Sequence, residues 1–201
     1  MSSISVINSL KAQTYKRGDT TLSVFAINDT LKYFEFYTPE YPHGDVEVGI
    51  LSKKDKDTYT LKYVEGANYA PFDLLFQGDS VFAIKLSEKG YMAFVLEKGS
   101  FLKVNASPSQ AISQFHLNYP IFYKAKNKVE LKVYEYPAFE SKTKKMLFNK
   151  GSKIEQKWGV GLYNKHKSIK DKTWIAAVRG SKFIGWLLLS EVGASFEKTE
   201  Q

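Results

Sequence analysis

Asp45-Val-Glu-Val-Gly-Ile50 alternates strictly. In an extended chain Val46, Val48 and Ile50 fall on one side and Asp45 and Glu47 on the other, the period of a half-buried strand. Lys53-Lys-Asp-Lys-Asp57 follows as a charged tip, and Thr58–Glu65 then alternates again, with Tyr59, Leu61 and Tyr63 against Thr60 and Lys62. Two alternating runs joined by a short polar tip predict an antiparallel hairpin.

The same punctuation extends in both directions. Asn28-Asp29 separates Leu22–Ile27 from Leu31–Tyr37, while Gln77-Gly-Asp79 and Glu88-Lys-Gly90 supply the glycine that tight turns favour. Val81–Leu86 places Phe82, Ile84 and Leu86 on one face, and Tyr91–Leu96 is apolar on both, as a central strand is. Strands at roughly ten-residue spacing with turns between them predict an antiparallel meander closed into a small barrel or sandwich. Thirteen Tyr, fourteen Phe and three Trp in 201 residues suit half-buried strands. The helical signal is Ser107-Pro-Ser-Gln-Ala-Ile-Ser-Gln-Phe-His116, where Ser107 can cap, Pro108 suits the first turn, and Ile112 and Phe115 share a face.

Charge divides the chain. Residues 111–201 carry 17 Lys+Arg against 8 Asp+Glu, whereas residues 1–110 carry 12 against 13, so the net +8 belongs to the C-terminal half. Lys142-Thr-Lys-Lys145 leads into Lys150, Lys153 and Lys157, and Lys165-His-Lys-Ser-Ile-Lys-Asp-Lys172 forms a second cluster. Lysines in such loops keep a β protein soluble and guard its edges. Interleaved with aromatics they also suit an anionic partner.

Several chemistries are excluded or disfavoured. Zero cysteines exclude disulfides, thiolate-ligated metals and a thiol nucleophile. His43, His116 and His166 are far apart and suggest no metal site, and no cofactor is expected. No apolar run reaches the ~18 residues of a membrane-spanning helix. No nucleophile elbow or phosphate-cradling glycine loop is present. Arg17-Gly-Asp19 reads as a turn, and Glu35 and Glu47, candidates for a carboxylate pair, are expected on solvated polar faces. Nucleic acid fits less well than other partners, because the aromatics fall where a core needs them.

The C-terminal half carries a family pattern. Val129-Glu-Leu-Lys-Val-Tyr-Glu-Tyr-Pro137, then Met146-Leu-Phe-Asn-Lys-Gly151, then Thr173-Trp-Ile-Ala-Ala-Val-Arg-Gly180 and Phe183-Ile-Gly-Trp-Leu187 resemble, in that order, the bacterial SH3-like (SH3b) domain. The resemblance implies a small barrel in which Tyr136-Pro137 is a turn, Lys150-Gly151 opens a strand, and Trp174, Val178 and Gly185-Trp186-Leu187 lie on the closing strands. Trp174, Ala176 and Val178 share one face at period 2, and Trp186 is expected beside Trp174 in the core. Trp158, flanked by lysine and glycines, is expected exposed at a loop mouth. More weakly, Tyr33-Phe-Glu-Phe36 and His43-Gly-Asp-Val-Glu-Val-Gly49 are similar to small β-domains of Gram-negative envelope proteins, including lysozyme-inhibitor-like ones, without their cysteine pair.

The expectation is thus all-β: an N-terminal extension (1–20), an antiparallel β domain (21–105), a linker with a short helix (106–128) and an SH3-like barrel (129–195). The function expected is non-enzymatic binding at the bacterial cell envelope, to an anionic wall or surface component or a protein partner. The alternative is a protein–protein interaction subunit, of an immunity or structural kind. Candidate ligand-binding residues are Trp158, Tyr163, Tyr136, Lys153, Lys157, Lys165 and Lys167. Ile4–Leu10 is too short and polar for a signal core, so export to the periplasm or cell surface implies a signal not contained in this chain, and the alternative is cytoplasmic.

Overall fold

The computed structural model describes residues 12–39, 45–64, 72–86, 100–105, 121–162 and 172–199. Eight strands form the first unit: β1 (Gln13–Arg17), β2 (Thr20–Ala26), β3 (Leu31–Thr38), β4 (Asp45–Lys53), β5 (Thr58–Val64), β6 (Phe72–Gln77), β7 (Ser80–Leu86) and β8 (Phe101–Val104). Each pairs antiparallel with the next, and β1 pairs with β8 through Thr14↔Val104, Tyr15↔Lys103 and Lys16↔Leu102. The meander therefore closes on itself as a barrel, which removes its free edges. β1 falls within the stretch expected as an N-terminal extension. It is the strand that closes the barrel.

Local chemistry sets the turns. Asn28 Oδ1 accepts hydrogen bonds from the backbone N–H of Thr30 and of Leu31, both at 2.8 Å, and so shapes the β2–β3 connection. Asp55 Oδ1 accepts from the N–H of Thr58 at 3.0 Å in the charged β4–β5 tip. Gly78, at φ 58°, supplies the left-handed residue between β6 and β7.

The second sheet runs β15-β9-β12-β13-β14-β10-β11, built from β9 (Ile121–Ala125), β10 (Val129–Tyr134), β11 (Thr143–Phe148), β12 (Lys153–Leu162), β13 (Lys172–Arg179), β14 (Lys182–Leu188) and β15 (Phe196–Thr199). β9 lies in the expected linker and β15 beyond residue 195. Among the described residues one short helix, α1 (Leu189–Ser195), connects β14 to β15. The expected helix at 107–116, the strand at Tyr91–Leu96 and the turn at Glu88–Gly90 lie outside the described residues. At its far end β12 pairs with β5 (Gly161↔Val64, Leu162↔Tyr63), so barrel and second sheet share hydrogen bonds.

Three cores result. Tyr15, Leu22, Phe34, Phe36, Leu61 and Phe101 are among those filling the barrel. Leu131, Phe148, Ile154, Ile175, Leu187 and Val192 pack within the second sheet and under α1. Between them lies the third, where Phe25, Tyr33, Val46, Val48 and Ile50 on the outside of the barrel meet Tyr134, Trp174, Ala176 and Trp186. Both indoles are buried as the alternation predicts, at 0% and 1% exposure, but the core they enter is this seam. On β13, Trp174 and Ala176 face the barrel while Ile175 and Ala177 face the other way. Val178, expected beside Trp174, stands outside the seam because the β13–β14 register shifts between Ala177 and Val178.

Burial on both sides of the barrel wall also overturns the expected solvation of the two glutamates. Phe36 and Glu47 are register partners and Phe36 packs in the barrel, so Glu47 faces inward, 8% exposed. Glu35 alternates to the outer face beside Tyr33 and is 2% exposed, its Oε1 accepting the Tyr33 hydroxyl at 2.8 Å. The barrel wall separates them, and they are no carboxylate pair. Replacing Trp186 by Ala should cost about 3–5 kcal/mol, as core aromatic truncations do. Because its ring lies 6.1 Å from that of Tyr33 across the seam, denaturation curves from tryptophan fluorescence and far-UV circular dichroism should shift together. A fluorescence transition that moved alone would show that the seam does not couple the sheets.

Candidate binding groove

Where β14 passes beneath β10, the two strands come closer than side chains permit. Gly185 has φ 128°, and a Cβ there would stand 2.6 Å from the Tyr134 carbonyl oxygen and 2.7 Å from Val133 Cγ1. Tyr134 pairs with Trp186 at this crossing. Beyond it β10 turns away into the loop Glu135–Lys142, leaving a groove of about 350 Å³ against Phe183, Ile184 and Gly185 of β14. Glu135, Lys142, Thr143 and Lys144 line the other side.

The loop is held from within. Glu135 N–H donates to the Lys142 carbonyl at 2.9 Å, and Ser141 N–H to the Ala138 carbonyl at 3.1 Å. The buried Ser141 Oγ accepts the Tyr136 N–H at 2.9 Å. This scaffold presents Phe139 at 60% exposure, its ring centroid 5.0 Å from that of the buried Trp174 and edge-on to Tyr134 at 6.4 Å. An exposed aromatic ring on a fixed loop is a preorganised contact, since little side-chain freedom remains to be lost on binding.

Charge at the groove is uneven. Lys145 pairs with Glu130 at 2.9 Å. Lys142 and Lys144 are exposed and have no ion-pair partner among the described residues. Two ammonium groups two residues apart, neither in an ion pair, thus border an apolar floor together with the carboxylate of Glu135.

The residues singled out from sequence are scattered. Tyr136 closes the seam, its ring centroid 5.0 Å from that of Tyr33 and 5.7 Å from that of Phe25. Burial, then the charges of Glu135 and Glu35, push its hydroxyl up to about 12. Lys157 is buried, with Nζ 3.1 Å from Glu155 Oε1; it is the extra residue where the β12–β13 register shifts between Gln156 and Trp158. That bulge turns it inward from the loop surface on which it was expected. Lys153 is exposed in register with Lys124 of β9, separated from β10 by β13 and β14 in strand order. Trp158 lies on β12 opposite Ala176; its side chain, and Tyr163, Lys165 and Lys167 entirely, lie outside the described residues. Sequence reasoning marked Lys142–Lys145 as basic but missed Phe139 and Glu135, for which the available signal was an aromatic residue just past Pro137 in a turn. Comparison with protein-family models, curated proteins and solved structures finds no match to this chain.

Gly185→Ala should lower the urea midpoint, through about 1–3 kcal/mol each of backbone strain and overpacking. Gly193→Ala in α1, where a Cβ meets nothing within 4 Å, should leave it unchanged or raise it slightly. Equal effects would refute the close crossing. Tyr136 and Tyr15, both held near 12 mainly by burial of the neutral phenol, contribute stability that is complete below the ordinary tyrosine value of 10.0. It is lost as pH rises from there through about 12. Stability should therefore decline across that interval, less steeply in Tyr136→Phe, with phenolate absorbance at 295 nm delayed for both groups.

Proposed function

We propose that this chain is a non-enzymatic binding protein of the bacterial cell envelope, whose basic second sheet is an SH3-like module engaging an anionic wall or surface component or an acidic protein partner. The observation that carries the reading is the groove itself: an apolar floor at Phe183–Gly185 with Lys142 and Lys144, which make no ion pair among the described residues, at its rim; on the same loop Phe139 is exposed against Trp174 and Tyr134. The order of the motifs around Tyr136-Pro137, Trp174 and Gly185-Trp186 supports the SH3-like assignment, as does the +9 charge of residues 111–201 that follows from their 17 Lys+Arg and 8 Asp+Glu. A two-domain organisation, barrel plus SH3-like unit, belongs to the same reading. Separation of Glu35 from Glu47 by the barrel wall removes the hydrolytic pair that the sequence offered. Phe139 favours the second reading, a protein–protein interaction subunit, because rigid exposed aromatics anchor protein interfaces.

Sedimentation with insoluble peptidoglycan at low ionic strength tests the proposal. The full chain should pellet with the wall, and the double variant Lys142→Glu/Lys144→Glu should bind at least about tenfold more weakly, near 1.4 kcal/mol. Raising the salt from 50 to 200 mM should weaken wild-type binding through screening. If the full chain stays in the supernatant at every salt concentration, the wall-binding form of the proposal is wrong.

A further inference from the structure

β11 ends the strand order of the second sheet, and among the described residues it is paired on one side only, with β10. The Glu135 N–H to Lys142 carbonyl bond fixes the phase of this ladder. In an antiparallel pair, hydrogen-bonded and non-hydrogen-bonded positions alternate. With Glu135 and Lys142 hydrogen-bonded, so are Val133↔Lys144 and Leu131↔Met146, and the backbone N–H and C=O of Thr143, Lys145 and Leu147 point away from β10. Three donor–acceptor pairs thus lie along an open edge that starts at the groove.

Side chains along this edge are sorted by face. Lys142 and Lys144 fall on the face shared with Met146 and Phe148, about 6.7 Å apart along the strand. Thr143, Lys145 and Leu147 fall on the other, where Lys145 is already neutralised by Glu130 and Leu147 is 48% exposed. Lysines on an edge repel the strands of further basic copies. The same charges attract an acidic strand, and the two unpaired ones sit at the spacing of alternate residues in an extended chain.

We infer that β11 is a strand-addition site for an extended acidic peptide, carrying carboxylates at alternate positions to meet Lys142 and Lys144 and apolar side chains between them on the face of Thr143 and Lys145. The peptide pairs antiparallel with β11, taking its affinity from main-chain hydrogen bonds and its selectivity from the alternating side chains. This rests on the reading of the basic groove as a binding site and names the partner's chemistry.

The probe is the synthetic peptide acetyl-Thr-Asp-Val-Glu-Val-Asp-Thr-amide, titrated against the full chain by calorimetry and by amide hydrogen exchange. In the antiparallel register that sets its carboxylates against Lys142 and Lys144, the valine N–H groups face β11 and the acidic residues' N–H groups face solvent. N-methylation of the two valines should therefore weaken binding at least about tenfold, while N-methylation of the acidic residues should change it less than about threefold. Bound peptide should slow exchange at Thr143, Lys145 and Leu147 by about tenfold or more, and Lys142→Glu/Lys144→Glu should abolish binding. Peptide binding with equal tolerance of both methylation patterns and unchanged exchange on β11 would overturn strand addition while leaving the groove intact as a site. Peptidoglycan sedimentation without peptide binding would overturn it likewise. Absence of both activities would overturn the groove reading beneath it.

Discussion

The burial of Trp174 and Trp186 against the outside of the barrel is the constraint on which the rest of the structure depends. A barrel wall ordinarily presents polar residues to water on one face. Here β2, β3 and β4 present Phe25, Tyr33, Val46, Val48 and Ile50, and the second sheet covers them. At the seam β2, β3, β4 and β13 are consequently buried on both faces, so their side chains answer to two cores at once. Trp174 Nε1 lies within this seam without a hydrogen bond among the described residues, a local cost offset by the apolar area that the two indoles withdraw from water.

The groove follows from the seam. Tyr134 packs edge-on against Trp174 at 4.8 Å between centroids, and this fixes the end of β10. Gly185 allows β14 to cross directly beneath. With both strands pinned, the loop that follows β10 must arch away, and its internal hydrogen bonds set Phe139 over Trp174. The lysines at the rim make no ion pair among the described residues: Glu130 is turned to Lys145 on the opposite face of β11, and Glu135 lines the groove beside Lys142 without an ion pair to it. Fold and candidate site are therefore one arrangement.

Inside the barrel the charges are handled differently. Lys32 extends its Nζ over the rings of Tyr59 at 4.8 Å and Phe76 at 5.5 Å, and burial followed by the nearby Lys53 lowers its pKa. Arg17, the last residue of β1, lays its guanidinium over Phe101 at 4.6 Å. Aromatic faces serve these cations inside the barrel, as they can where water is scarce. The composition shows how many aromatics and cations there are; their meeting inside a closed wall needs the strands brought together.

Much was legible from residue order. Alternation in Asp45–Ile50 and Thr58–Glu65, and the turns at Asn28-Asp29, Lys53–Asp57 and Gln77–Asp79, determine antiparallel strands in the order observed, because side-chain period and turn chemistry are local properties. Burial of Trp174 and Trp186 was legible for the same reason. What only the tertiary structure decided is which side of each strand is inside. A period of two separates Val46, Val48 and Ile50 from Glu47, but it is blind to whether the apolar face looks into the barrel or out toward a second sheet. Here the valines look out and Glu47 looks in. For the same reason the lysines could be counted but not sorted. A one-residue bulge buries Lys157 against Glu155, whereas the end of a ladder leaves Lys142 and Lys144 at an open groove, and the difference lies in pairings between strands distant in the chain.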